Sequence, residues 1–396
     1  MYSEAAKLLF ESGNKKFESA DYEGAINDYR QAIMNEPRYI EAFIARGLAK
    51  QALFRYAAAL SDFDEAIIIN PKDVGVYKKR GNLNLDISEF KAAITDFDDA
   101  IKLTPNDADL YKSRAEAKFN LNKLESAIAD YNRAIKINPK DAETYFDRGV
   151  AQQELGHYDK AFTDFNQAIK LNPNDAFAYK HRGVLYYYIN EYFNAIADFD
   201  RAIALNPNFQ AAFRYKGDVY KIMENYPAAL NEYNQALSLK PHDEVALFNR
   251  AMVYDITGNT NAAMEDYNKA LIYEPNLAEA WYNRAALHFG QGNYSAALQD
   301  YDKAASLAPD ATTFYNRAIT KEHLKNITGA IEDYTKAIQF NDNDADFYRY
   351  RGFAKEKVGD IAGAIADLKH ALSLLPGNSD LIQQIAKLEN DLKTDK

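Results

Sequence analysis

The 396-residue chain contains no cysteine, which excludes disulfides and thiolate metal sites. Histidine is scarce. The six, His157, His181, His242, His288, His323 and His370, have no paired spacing that would put two on one helix face, so no metal site is expected. Positive charge is in deficit: 47 lysines and arginines stand against 58 acids, a net charge of -11. With no basic stripe in compensation, a phosphate backbone would be repelled, and nucleic acid is not an expected partner. Long apolar runs are missing too. Nothing approaches a membrane span, and the N-terminus, MYSEAAKLLFESGNKKF, carries a glutamate and no long apolar core. Neither membrane insertion nor a signal peptide is expected, and a soluble cytoplasmic protein is the default.

What the chain has is one unit repeated. The stretch Ala142 to Asp175 finds a relative of itself 34 residues away in either direction. Within it Tyr145, Gly149, Tyr158, Ala161, Phe165, Ala168 and Pro173 are spaced as two short amphipathic helices separated by a turn near Gly156. The second helix has to stop at Asn172, because Pro173 lacks an amide hydrogen and pushes the preceding residue out of the α region. Taking Ala142 as position 1, the closing proline recurs from Pro37 to Pro376, missing only where Asp342 stands in the tenth copy. Position 20 is alanine in all eleven copies, from Ala25 to Ala364, and so is position 27, from Ala32 to Ala371. Unbroken alanine at two sites marks two recurring close helix contacts.

This pattern resembles the tetratricopeptide repeat (TPR): a large residue, a small one four later, two alanines with an aromatic between them, and a closing proline. The resemblance covers nearly the whole chain. It implies an all-α, right-handed superhelical solenoid of eleven helix-turn-helix repeats with the first helices on the concave side. Repeats are expected over residues 1–378, starting near 6, 40, 74, 108, 142, 176, 210, 244, 278, 311 and 345, and forming one elongated domain. The register slips once, between Pro309 and Phe314, where one residue is missing. Asp342 predicts a less sharply ended tenth repeat. Residues 379–396 read as a capping helix and tail, with Leu381, Ile382, Ile385, Ala386, Leu388 and Leu392 on the covered side.

Position 7 is basic in ten copies, Arg148 among them, and position 23 is acidic in all eleven, Asp130 and Asp164 among them. A charge on a packed helix face needs a partner, so an arginine-carboxylate ladder is expected. Ser12 replaces the base in the first copy, which has no predecessor to supply an acid. We therefore expect each acid to pair with the base of the following repeat, with pairing inside one repeat as the alternative.

Catalytic residues and cofactor motifs are not found. Asp342, Asp344 and Asp346 mimic the start of a calcium loop, but Phe347 and Phe353 stand where that loop needs glycine and glutamate. The resemblance implies a scaffold or adaptor that holds a partner protein or peptide in the concave groove, and no enzymatic activity of its own is expected. Targeting or regulating an enzyme on another chain is the alternative. A co-chaperone carboxylate clamp is not matched: Lys78 and Asn82 are followed by Ser113, Glu143 and Asp147, whose acids would repel a carboxylate. Repeats eight to ten carry the candidate peptide-binding site. Position 6 is Asn249, Asn283 and Asn316, position 5 is Phe248, Tyr282 and Tyr315, and Met252, Ile319 and Phe289 lie alongside. An amide both donates to and accepts from a peptide backbone, and the rings supply apolar area at low entropic cost. The three amides resemble the asparagine ladder in the repeats of O-linked N-acetylglucosamine transferases. A second candidate groove is the basic and aromatic set Lys180, His181, Tyr187, Arg214 and Lys221.

Overall fold

The computed structural model describes residues 2–394. Each repeat is a hairpin of two helices, in the fifth copy Ala142–Glu154 and Tyr158–Leu171. The pair recurs eleven times and is followed by Ser379–Thr394, so the described residues form 23 helices and no strand. Local chemistry sets the ends. Asp141 caps the first helix by accepting from the Glu143 amide. The hairpin turns where position 15 enters the left-handed region, as at Gly156 with φ of 73°. Seven copies use a non-glycine residue there, among them Phe54, Glu224 and Lys325. Each of these carries a backbone cost of about 1–2 kcal/mol that the surrounding packing offsets.

The tenth repeat ends no less sharply for lacking its proline. Its second helix is Ile327–Phe340, after which the Asn341 amide donates to the Ala337 carbonyl and Asp344 caps the next helix. The ninth junction is the short one. Leu307 and Ala311 bound its two helices, leaving three residues between them, whereas four separate Tyr273 from Ala278.

Contacts gather the helices into two compact units, Met1–Pro207 and Asn208–Lys396. In each unit the second helix of one repeat packs on the first helix of the next. Ala161 and Ala168 are fully buried, as are their counterparts at nearly every repeat. Ala270 and Ala280, on the facing helices of consecutive repeats, share one apolar cluster. Position 8 is equally tight: a Cβ on Gly149 would lie 2.7 Å from the Phe165 ring. In the second unit, Leu381, Ile385 and Leu388 of the last helix close over Ala364, Leu368 and Ala371. Ile382, Ala386 and Leu392, which the sequence pattern places on the covered side, are exposed.

The charge ladder exists, but its pairing is within each repeat rather than to the next. Arg148 donates to Asp164 through Nε at 2.9 Å and Nη2 at 2.6 Å, while Asp130 receives the fork of Arg114 at 2.8 and 2.6 Å. The reason is the antiparallel hairpin, which sets position 7 opposite position 23 just as it sets Gly149 against Phe165. Ser12 takes the same place in the first repeat and donates to Asp28 at 2.6 Å. Coupling between repeats uses the remaining guanidinium nitrogen. Arg148 Nη1 donates to Asn132, Arg182 Nη1 to Asn166 and Arg284 Nη1 to Asn268, each at 2.6–2.7 Å and each to position 25 of the preceding repeat. The guanidinium also lies over the position 4 ring, 5.5 Å from the centre of Tyr145.

Asp164 is only 3% exposed, so Arg148→Met should cost about 3 kcal/mol by leaving it unpaired. In double-mutant cycles read by denaturant melting, Arg148 should couple strongly to Asp164 and not to Asp130. Strong coupling to Asp130 with none to Asp164 would restore the ladder between repeats.

Candidate functional site

Two of the three asparagines singled out in repeats eight to ten are hydrogen-bonded to neighbouring repeats. Asn249 is already engaged: its Nδ2 donates to Asp218 at 2.9 Å and its Oδ1 accepts from Lys221 at 2.9 Å. Tyr233 also donates to Asp218, at 2.7 Å, and Arg214 lies 3.7 Å away. Burial nevertheless holds the Asp218 carboxyl above the usual carboxylate range. Asn316 donates to the Tyr282 hydroxyl at 2.7 Å. Tyr315 packs among Tyr334, Phe347 and Tyr350, and Ile319 lies against the same cluster. Phe289 meets the rings of Tyr294 and His323. These side chains hold repeats together.

Phe248, Met252, Tyr282 and Asn283 are brought together elsewhere. They line an open cleft of about 390 Å³ within the second unit, completed by Ala278, Glu279, Ala304, Ala308, Asp310, Thr312 and Thr313. Three consecutive first helices, Glu244–Ile256, Ala278–Gly290 and Ala311–His323, contribute to it, with the end of Tyr294–Leu307 beneath. Its origin is local. Position 31 is asparagine, glutamate or another larger residue in every other repeat but is Ala308 here, and the short turn brings in Asp310, Thr312 and Thr313. The Asp310 carboxylate caps the following helix by accepting from the Thr313 amide at 3.0 Å. Burial raises the Tyr282 hydroxyl pKa, the Asn316 hydrogen bond opposes that rise, and the charge of Asp310 adds to it. The one-residue slip marked this junction in the sequence; the missing bulk at Ala308 was the signal that went unread.

The second candidate set divides between the units, with Lys180, His181 and Tyr187 in the first and Arg214 and Lys221 in the second. His181 is a packing residue. Its Nδ1 lies 3.0 Å from Gln153 Oε1, its ring sits against Phe146 and Phe165, and burial followed by the Lys180 charge lowers its pKa to about 3. The clamp-like residues of the first unit are also committed, since Lys78 pairs with Asp109 at 2.8 Å and Lys112 with Glu143. Beside them Asp147 is pushed up to about 7, chiefly by burial, with Glu143, Glu116 and Asp141 adding to the rise and Lys112 opposing it. Among the described residues no helix is long and apolar enough to cross a membrane.

Sequence profiles described as TPR repeat match residues 115–156 and 256–292, and others described as tetratricopeptide repeat match 142–175, 176–209, 216–243 and 278–310. No curated protein matches the chain. Among solved structures it is similar to a tetratricopeptide repeat protein from Parabacteroides merdae ATCC 43184, at 24% identity and a TM-score of 0.49, over 64% of this chain and 98% of that one. It is also similar to yeast Tom70, at 16% identity and a TM-score of 0.42, over 98% and 96% of the two chains. A third is YrrB, described as a TPR protein with an unusual peptide-binding site, at 25% identity and a TM-score of 0.40, over 45% and 92%.

Asp147 gives the first unit a defined pH response. Its folded-state pKa lies above the ordinary carboxylate value, so the folded state binds the proton more tightly than the unfolded one. Stability contributed by this group is present below about pH 4 and is lost as pH rises through about 7. Asp147→Asn should therefore raise the urea midpoint at pH 8 and leave it nearly unchanged at pH 4. An equal shift at both pH values would contradict the assignment.

Proposed function

Since the chain belongs to the tetratricopeptide repeat family, whose repeats build protein-interaction scaffolds, we propose that it holds an extended segment of a partner polypeptide across repeats eight to ten. The observation that carries this reading is the open cleft contributed by three consecutive repeats. Its volume of about 390 Å³ falls toward the lower end of ligand pockets, roughly 300–1,000 Å³, enough for one large side chain. Phe248, Met252 and Tyr282 form apolar walls for that side chain, and Asn283, whose amide nitrogen is directed at the Tyr267 hydroxyl, keeps its carbonyl oxygen to accept from the backbone beside it. Asn249 and Asn316 play a different part. Their bonds to Asp218 and Tyr282 fix the helices that carry the cleft, and Asn283 is the asparagine that lines it. No catalytic role is assigned to any of these groups.

The test uses linear peptides selected from a random displayed library on the full chain. Ala308 is exposed, and Ala308→Trp would fill the cleft without disturbing the core. That change should weaken the selected peptides at least about tenfold, equivalent to about 1.4 kcal/mol, with little change in Tm. Asn283→Ala should weaken them by about two- to tenfold, the worth of one hydrogen bond. Asn249→Ala should instead lower the Tm, because it removes a donor from the buried Asp218. Binding undiminished by both Ala308→Trp and Asn283→Ala would overturn the reading, and its loss on Lys180→Glu instead would move the site to the first unit.

A further inference from the structure

The cleft has a charge as well as a shape. Of the residues that line it, Glu279 and Asp310 are acidic and none is basic. Both acids are exposed at the mouth, and neither has an ion-pair partner among the described residues. The cation that Glu279 influences is Lys221, which lies in the preceding network and donates to Asn249 at 2.9 Å. Lys221 also feels the charge of Asp218, so its single charge is shared between two acids. Asp310 accepts from the Thr313 amide, which leaves its negative charge in place. An apolar pocket edged by two carboxylates and by no base favours a ligand that is apolar at its centre and cationic at its edge.

From this, and resting on the reading of the cleft as a binding site, we infer that its occupant is a partner segment in which a bulky apolar side chain is flanked by lysine or arginine. The apolar side chain enters between Phe248, Met252 and Tyr282. The neighbouring cation meets Glu279 or Asp310, and the long aliphatic stem of such a residue covers the apolar rim on the way. An acidic segment is excluded by the same two carboxylates.

The displayed library decides this together with two charge changes that keep the geometry. Glu279→Gln preserves size, and Asp310→Asn preserves the helix cap, since asparagine caps as well as aspartate does. Selected peptides should carry Phe, Leu, Met or Trp with Lys or Arg within two positions. Their affinity should fall about tenfold on the paired change Glu279→Gln with Asp310→Asn, and it should fall with added salt. Neutral or acidic selected peptides would overturn the inference. So would peptides lost on Ala308→Trp but indifferent to the paired change, a result that keeps the cleft and discards its charge preference. Peptides indifferent to Ala308→Trp, or no enrichment over that variant, would remove the cleft itself and the inference with it. Binding of small aromatic amines with no peptide selected would assign the cleft to a free cationic ligand instead.

Discussion

A carboxylate in the seam between two helices must be met by donors, and that requirement governs this chain. Asp164 is met by two nitrogens of Arg148, whose third terminal donor reaches back to Asn132 of the preceding repeat. One guanidinium thereby fixes the register of its own hairpin and the seat of its neighbour. In several repeats a lysine at position 11 adds a second cation, as Lys118 does for Asp130 at 2.7 Å. Breaking such a fork leaves a buried acid, so the penalty falls on misregister more than the bond adds to net stability.

With the hairpins held this way, small residues decide how closely they approach. The alanines at positions 20 and 27 are buried throughout, and at most copies glycine at position 8 admits the ring of position 24. The cleft is a local departure from that closeness. At the ninth junction a short turn and Ala308 leave space that larger residues occupy elsewhere. The surrounding polar bonds, Asn316 to Tyr282 and Asn249 to Asp218, keep the walls in place.

Most of the architecture was legible because a repeated unit states its pattern eleven times. Helix ends follow from aspartate caps, turn residues and prolines, and the alanine positions announce the contacts. Ser12 carries no information about pairing between repeats, because it stands opposite Asp28 of its own hairpin and donates to it. Counting positions across an antiparallel hairpin, where 7 faces 23 and 8 faces 24, assigns Asp164 to Arg148 directly. Position 25 escaped notice although it is aspartate or asparagine from Asp64 through Asp302. The lining of the proposed cleft was legible in part. Phe248, Met252, Tyr282 and Asn283 were marked by repeat position, but whether an asparagine is free depends on three-dimensional neighbours such as Asp218 and Lys221. The raised pKa of Asp147 has no signal in the sequence, because burial is invisible in one dimension.

A partner segment seated between three first helices would join them into one protected surface. Amide hydrogen exchange on the full chain, with and without a library-selected peptide, measures that directly. Protection gained within Glu244–Ile256, Ala278–Gly290 and Ala311–His323 is the predicted result. Protection confined to Ala176–Tyr188 or to the second helices of the repeats would contradict the account.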